Sequence, residues 1–415
     1  MMGRLAYNLL LCLLLPQALL HLLWRSRRQP AYLEHIAERF GRYRFAVEPP
    51  LIWVHAVSVG ETRAAEPLIA ALKRQYPAHR ILLTHMTPTG RETGVALFGD
   101  GVARCYLPYD FPLGVAAFLE HFKPVCGILL ETEIWPNLIR ACNQRSIPVY
   151  LVNARLSAKS LRRYRRFPTL AATALRGLTA IAAQGADDAA RFHELGALAV
   201  GTVGNLKFDI APEPALIAQG VAWRAQYGAR PVLLLASTRE GEEELFLQAL
   251  HAAPAEWLVV MVPRHPQRFD EVAELLARRA VPFQRRSSGE VVGAATQVLL
   301  GDSMGEMTAY YAACDVAIIG GSFLPFGAHN LIEACALGKP VVVGPHDYNF
   351  VDAVRLAVEA GAAMQVDSAE AALAAARELL ADKSRLQRMS DNGREFVHRH
   401  VGSTRRILEM VKFAG

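Results

Sequence analysis

The sequence predicts an α/β protein of two doubly wound domains, each a parallel sheet flanked by helices, preceded by an N-terminal membrane-anchor helix. Three observations predict it. Apolar runs of strand length alternate along most of the chain with segments of helical length and 3.6-type periodicity, the pattern of parallel strands joined by crossover helices. The alternation pauses at a Pro-rich break, Pro212, Glu213 and Pro214, and then resumes. The chain also opens on an apolar run, Tyr7 to Trp24, about long enough to cross a bilayer. At 415 residues it exceeds one ordinary core. The expected division is 1–28 for the anchor, 29–211 for the first domain, and 212–415 for the second with a helical tail.

The run Tyr7 to Trp24 carries no formal charge apart from His21 when protonated, and Arg25, Arg27 and Arg28 follow it. That flank places the body on the cytoplasmic side by the positive-inside rule. A cleaved signal peptide fits less well, because its n-region would hold only Arg4 and no small-x-small site follows. Pro16, Gln17 and His21 weaken the span, so a helix lying in the interface is the alternative to one that crosses. Ala31 to Arg44 is basic, aromatic and amphipathic, suited to lie along headgroups or to serve as a solvated linker helix.

Strands are expected at Leu51 to Val54, Ile81 to Thr84, Cys105 to Leu107, Gly127 to Leu130, Pro148 to Val152, Ala180 to Ala183 and Val200 to Val203. Helices are expected between them, notably Arg63 to Gln75, Pro112 to His121, Pro136 to Gln144 and Asp187 to Leu195. After the break, strands at Val232 to Ala236, Leu258 to Val262, Val298 to Leu300, Val316 to Ile319 and Val341 to Val343 frame a second sheet, and Asp352 to Phe413 reads as helical.

Hydrophobic residues make up 52% of the chain, rich for a soluble enzyme and in keeping with a globular body plus a membrane element. The net charge of +6 favours an anionic partner, whether nucleic acid, anionic lipid or a phosphorylated substrate. The basic aromatic cluster Arg162, Arg163, Tyr164, Arg165 and Arg166 has no nucleic-acid fold signature around it, so solvent or acidic headgroups are its expected neighbours. The six cysteines are scattered with no CxxC pair and read as reduced core residues. There is no GxxxxGK[ST] loop and no GxGxxG after the first strand, which argues against ATPase and dinucleotide chemistry. No DxD-like or His-cluster pattern stands out, so neither a catalytic metal nor a cofactor is expected.

The candidate chemistry lies at the C-terminal ends of strands, the ligand-binding rim of open α/β sheets. In LIWVHAVSVGE a buried strand runs through a small-residue turn into a helix that starts near Glu61. An acid there complements the helix dipole or does chemistry, and the helix terminus is expected to lower its pKa. HMTPTGRETG, ETEIWPNLI and NARLSAKS follow other strands of the same domain. In the second domain Pro263 and Arg264 follow the strand WLVVMV, and an arginine fork there suits a phosphate oxygen. Met304, Gly305 and Glu306 open a helix after QVLLGD, with Asp302 and Ser303 as plausible caps, and amides at such a start attract phosphate. Asn330 either caps the following helix or contacts a ligand, and Glu333 in its first turn either compensates the dipole or accepts from ribose hydroxyls.

With HAVSVGE, HMTPTGRETG, GILLETEIWPNLI, VNARLSAKS, GNLKFD, PRHP, GDSMGEM and GGSFLPFGAHNLIEACALGKPVVVGPH in this order, the chain resembles the 3-deoxy-D-manno-octulosonic acid (Kdo) transferases of lipopolysaccharide assembly. The resemblance runs from the anchor to about Phe350. It implies a GT-B fold, two Rossmann-like domains facing a cleft. It also implies an inverting glycosyltransferase that takes Kdo from CMP-Kdo to a tetraacylated lipid A precursor (lipid IVA) on the cytoplasmic face of the inner membrane, without cofactor or metal and without nucleic acid. Carried over by residue, it makes Glu61 the catalytic base and Pro263, Arg264, Met304, Gly305, Glu306, Asn330, Leu331, Ile332 and Glu333 the CMP contacts. Ala328 departs from the pattern, standing where a second glycine of a GGHN run is expected. A nucleotide-sugar epimerase of the same architecture and a non-catalytic membrane scaffold are the alternatives.

Overall fold

The structure is a computed structural model that describes residues 2–27, 29–250 and 257–413. Arg28 of the predicted basic flank, and with it the predicted anchor boundary, lies outside the described residues. The chain forms two compact units, Met1–Ile210 with Val401–Gly415, and Ala211–His400.

In the first unit, β1 (Leu51–His55), β2 (Arg80–His85), β3 (Ala103–Tyr106), β4 (Cys126–Leu130), β5 (Val149–Ala154), β6 (Ala180–Ala183) and β7 (Val200–Thr202) form a seven-stranded sheet in the order β3-β2-β1-β4-β5-β6-β7. All its neighbours pair in parallel. Alternation along β1 feeds two cores. Leu51 and Trp53 pack with Phe118, Phe122 and Leu151 on one face. Ile52 and Val54 pack with Leu68, Leu72 and Ile128 on the other. The fully buried Trp53 donates from Nε1 to Thr84 Oγ1 at 2.7 Å, which satisfies its one polar atom. Gly127 makes room for it, since a Cβ there would stand 2.7 Å from the indole.

The second unit repeats the plan with β8 (Val232–Thr238), β9 (Leu258–Pro263), β10 (Phe283–Arg285), β11 (Val298–Leu300), β12 (Val316–Ile319), β13 (Val341–Val343) and β14 (Ala363–Gln365). Their order is β10-β11-β9-β8-β12-β13-β14, again parallel throughout. Leu233, Leu235, Met261, Ile318 and Val342 are fully buried in one of its cores.

Several expectations need correction. The helix expected from Arg63 to Gln75 is two, Val59–Ala64 and Glu66–Gln75, because Pro67 has no N–H to continue the first and sits instead in the opening turn of the second. The amphipathic stretch after the anchor forms short 3₁₀ turns, Pro30–Tyr32 and Ile36–Phe40, bounded by His35 at φ 53° and Gly41 at φ 78°. The predicted second domain ran to residue 415, whereas Val401–Gly415 returns to the first unit. There Ile407 and Val411 are buried in the core that holds Ile52 and Val54. Asp209 fixes the start of the helix Ser403–Met410 by accepting from the N–H groups of Gly402 at 2.6 Å, Ser403 at 3.3 Å and Thr404. All six cysteines are free, and five are buried, Cys12 being the exposed one.

The N-terminal helix is Met2–Ser26, and its segment Gly3–Ser26 is the one helix among the described residues long and apolar enough to cross a membrane.

Candidate active site

In the first sheet the chain steps from β1 outward through β2 to β3 and then returns to β4 on the other side of β1. The crevice outside the carboxyl ends of β1 and β4 is therefore a topological switch point, where doubly wound sheets bind ligands. Glu61 stands in that crevice. Ser58 caps the helix Val59–Ala64, and the Glu61 carboxylate reaches back in a variant of the capping box. Its Oε2 accepts from the Val57 N–H at 2.8 Å and its Oε1 from the Ser58 hydroxyl at 3.1 Å.

The expectation that this terminus lowers the Glu61 pKa is overturned. Burial pushes the carboxyl up to about 8, and Glu131 and Glu133 add repulsion that the Val57 and Ser58 hydrogen bonds only partly offset. Both acids follow β4. Glu131 is held in the left-handed region at φ 57°, its N–H donating to Val152 O at 3.0 Å. Glu133 Oε2 accepts from Trp135 Nε1 at 2.6 Å and lies 3.8 Å from Nε2 of the buried His55. Burial opposes its ionisation, but His55 and the indole N–H outweigh that and hold its pKa below the ordinary value. His55 is oriented in turn by Thr84, whose Oγ1 is 2.8 Å from its Nδ1. The crevice therefore holds one carboxyl of raised and one of lowered proton affinity, an arrangement suited to moving a proton at neutral pH.

In the second unit Pro263 ends β9, and the Arg264 N–H donates to Thr238 O at 3.0 Å, which brings the PRHP turn beside the end of β8. Arg239, Arg264 and His265 lie close enough to His329 that, after burial, their charges help push its pKa down to about 3. This cationic group gathers at the carboxyl ends of β8, β9 and β12, around the second sheet's own switch point. Arg239 also lies over the Phe326 ring at 4.4 Å.

Met304 is 55% exposed, and Gly305 adopts φ 83° with nothing within 4 Å of the position a Cβ would take. Neither Asp302 nor Ser303 caps the next helix, which begins at Met307. Asp302 accepts from the Ser287 N–H and hydroxyl, and Ser303 donates to Glu306. Glu306 also accepts from Gln219 at 2.7 Å and Arg286 at 3.0 Å, so its carboxylate braces the turn. Asn330 stands one residue before the N-cap Leu331, and its Oδ1 accepts from the Ile332 N–H at 3.1 Å at the opening of the helix Ile332–Ala336. Leu331 and Ile332 are buried, which leaves their backbones as the groups able to meet a ligand. Glu333 accepts from Thr308, and Tyr311 donates to Asn330 O at 3.4 Å, so the helix after the MGE turn is tied to the Asn330–Glu333 segment. Ala328 sits at φ 64°, where a glycine is free of strain and an alanine costs about 1–2 kcal/mol.

Glu61 thus belongs to the first unit and the nine remaining candidates to the second. His55, Glu131, Glu133, Arg239 and His329 were not singled out from sequence. Glu131 and Glu133 stood inside a motif at a strand end, but only the β1–β4 adjacency directs them at Glu61.

The family of 3-deoxy-D-manno-octulosonic-acid transferases matches residues 34–210, and the group 1 glycosyl transferases match residues 282–396. Over 428 aligned residues the chain is 46% identical to the 3-deoxy-D-manno-octulosonic acid transferase of Bordetella pertussis, covering 99% of each chain. It is a Kdo transferase by family. The corresponding protein of Haemophilus influenzae is 38% identical over 99% of this chain and 98% of that one. As a Kdo transferase the chain is a glycosyltransferase enzyme of lipopolysaccharide biosynthesis, which removes the scaffold alternative. The fold is GT-B. UDP-GlcNAc 2-epimerase from Neisseria meningitidis shares it with a TM-score of 0.58 over 87% of this chain and 99% of that one, at 16% identity, a likeness of fold alone.

Proposed function

We propose that this Kdo transferase takes Kdo from CMP-Kdo and passes it, with inversion, to a sugar hydroxyl of a tetraacylated lipid A precursor at the cytoplasmic face of the inner membrane. Glu61, as carboxylate, accepts the hydroxyl proton while the acceptor oxygen bonds to the anomeric carbon and CMP departs with the electron pair of the broken bond. Arg264, supported by Arg239, and the backbone at Gly305 balance the charge that grows on the departing phosphate. Pro263, Met304, Glu306, Asn330, Leu331, Ile332 and Glu333 complete the CMP pocket, Leu331 and Ile332 through backbone alone.

The observation that carries this reading is the environment of Glu61, a switch-point carboxyl whose pKa of about 8 makes it a stronger base than an ordinary glutamate. An epimerase rests only on the shared fold and has no use for the apolar N-terminal helix. The deciding experiment is CMP release from CMP-Kdo with and without lipid A precursor. Release is expected to depend on the lipid, and Glu61→Gln to bind CMP-Kdo yet lose about 10²- to 10⁴-fold in kcat. Lipid-independent turnover of the donor, or wild-type transfer by Glu61→Gln, would overturn the assignment.

A further inference from the structure

The Met2–Ser26 helix does not stand clear of the body. Its less exposed residues, among them Tyr7, Leu11, Leu15, Ala18, Leu22 and Ser26, recur at steps of three or four over its whole length, a single stripe such as a helix laid against a surface shows. Its N-terminal part is clasped to the first unit. Tyr7 donates its hydroxyl to Asp110 Oδ2 at 3.0 Å, and Asn137 Nδ2 donates to Asn8 Oδ1 at 2.7 Å. Asp110 is buried and also accepts from the Asn137 and Leu138 N–H groups at 2.9 and 2.8 Å, so the clasp is built on a fixed carboxylate at the start of the helix Pro136–Asn143. The other end runs into the 3₁₀ turns, where the Tyr109 N–H donates to Arg39 O at 2.9 Å, one residue from Asp110. The N-terminal part of a 25-residue helix, roughly 37 Å long, is thus held by the first unit, and Leu22 near its other end is buried.

The outward face is mostly apolar, with Gln17 and His21 among its exposed polar side chains. Leu5, Leu9, Leu13, Leu20 and Trp24 are each 54–68% exposed. Two exposed apolar residues follow the clasp closely in sequence, Leu113 (87% exposed) three residues after Asp110 and Phe167 (62% exposed) three after Tyr164. Beside the clasp, Tyr164 approaches Tyr7, and its neighbours Arg162, Arg163 and Arg166 are exposed and without an ion pair among the described residues.

We infer that the N-terminal helix lies in the plane of the membrane, with its leucine face, Leu113 and Phe167 in the acyl layer of one leaflet, and Arg162, Arg163 and Arg166 at its anionic headgroups. A helix that crossed the bilayer while keeping its clasp would drag Asp110, Asn137 and the arginine cluster into hydrocarbon. One that crossed after losing the clasp would leave the buried Asp110 short of its hydroxyl partner and Asn8 in lipid. In the plane, the clasp keeps its hydrogen bonds while the leucines meet the acyl chains, and the exposed Gln17 and His21 stay within reach of headgroups and water. The crevice of Glu61 then stands near headgroup level, since Tyr164 lies near Glu133 as well as Tyr7.

The inference rests on the cytoplasmic body of the proposed function, and its test reports the side of the body separately. In full-length protein lacking the exposed Cys12 (Cys12→Ser), Gly3→Cys and the exposed Lys383→Cys are each probed with a membrane-impermeant maleimide in intact spheroplasts and in inverted inner-membrane vesicles. Both are expected to label in inverted vesicles and to be protected in spheroplasts. Asn8→Cys with Asn137→Cys is expected to cross-link on oxidation within the membrane. Gly3→Cys labelling from the side opposite Lys383→Cys, or no cross-link in membranes, overturns the in-plane helix. Neither readout involves sugar transfer, so its failure leaves the proposed function standing. Loss of lipid-dependent CMP release leaves the helix where these labels put it.

Discussion

Glu61 shows how a local rule yields to its surroundings. A carboxylate in the first turn of a helix, accepting from Val57 and Ser58, is stabilised in its charged form. Burial against two further acids outweighs this and leaves a pKa of about 8. Only the ionised form can take a proton, so kcat should climb with pH through that value, and Glu61→Gln should remove the climb along with most of the activity. A kcat that stays flat between about pH 6 and 9 in the wild type would show that Glu61 is ionised throughout. The placement of Glu61 at a strand-to-helix junction was legible from strand, turn and helix start, with its role left open between dipole acid and base. Its proton affinity was not, because Glu131 and Glu133 come from a distant stretch of chain and only strand order puts them opposite.

At the level of elements, strand positions were read well wherever apolar runs were long, as in β5, β8 and β9. The sequence reading passed over β10 and β14, edge strands of three residues whose text, Phe283–Arg285 and Ala363–Gln365, carries little of the apolar run a central strand shows. Edge strands need only one neighbour and tolerate polar residues, so hydropathy is a poor guide to them. The Asp209 contact is equally invisible, since the carboxylate and the amides it holds are nearly two hundred positions apart. Asp209→Ala should destabilise the protein by about 1 kcal/mol, the usual loss on removing a helix cap, and Asp209→Asn by less. Urea unfolding of the three proteins measures this, and equal midpoints would show that solvent replaces the carboxylate without loss.

Over the whole molecule, each unit holds one histidine with a strongly depressed pKa, the buried His85 in the first and the half-buried His329 in the second, both near 3. Burial is the leading cause in each. The unfolded chain takes up these protons near pH 6.5, while the folded chain resists until about 3. The unfolded state therefore binds more protons between those values, and stability that is complete above 6.5 is lost as the pH falls. The melting midpoint should drop progressively below pH 6.5. A midpoint unchanged down to about pH 4 would show that other groups compensate.

The two-sheet plan was open to sequence reading because it depends on neighbours in the chain. The return of Val401–Gly415 to the first unit was not, because Ile407 and Val411 look like any amphipathic tail until the cavity they fill is known. That return also sets a timetable. During synthesis the strands of the first sheet emerge well before Ile407 and Val411, so the core beneath Ile52 and Val54 stays open until those residues have been made. A second unit of about 190 residues must be made in between. The half that carries Glu61 is begun before the second unit and closed after it, and a chain cut before Ser403 leaves that half with an unsealed core.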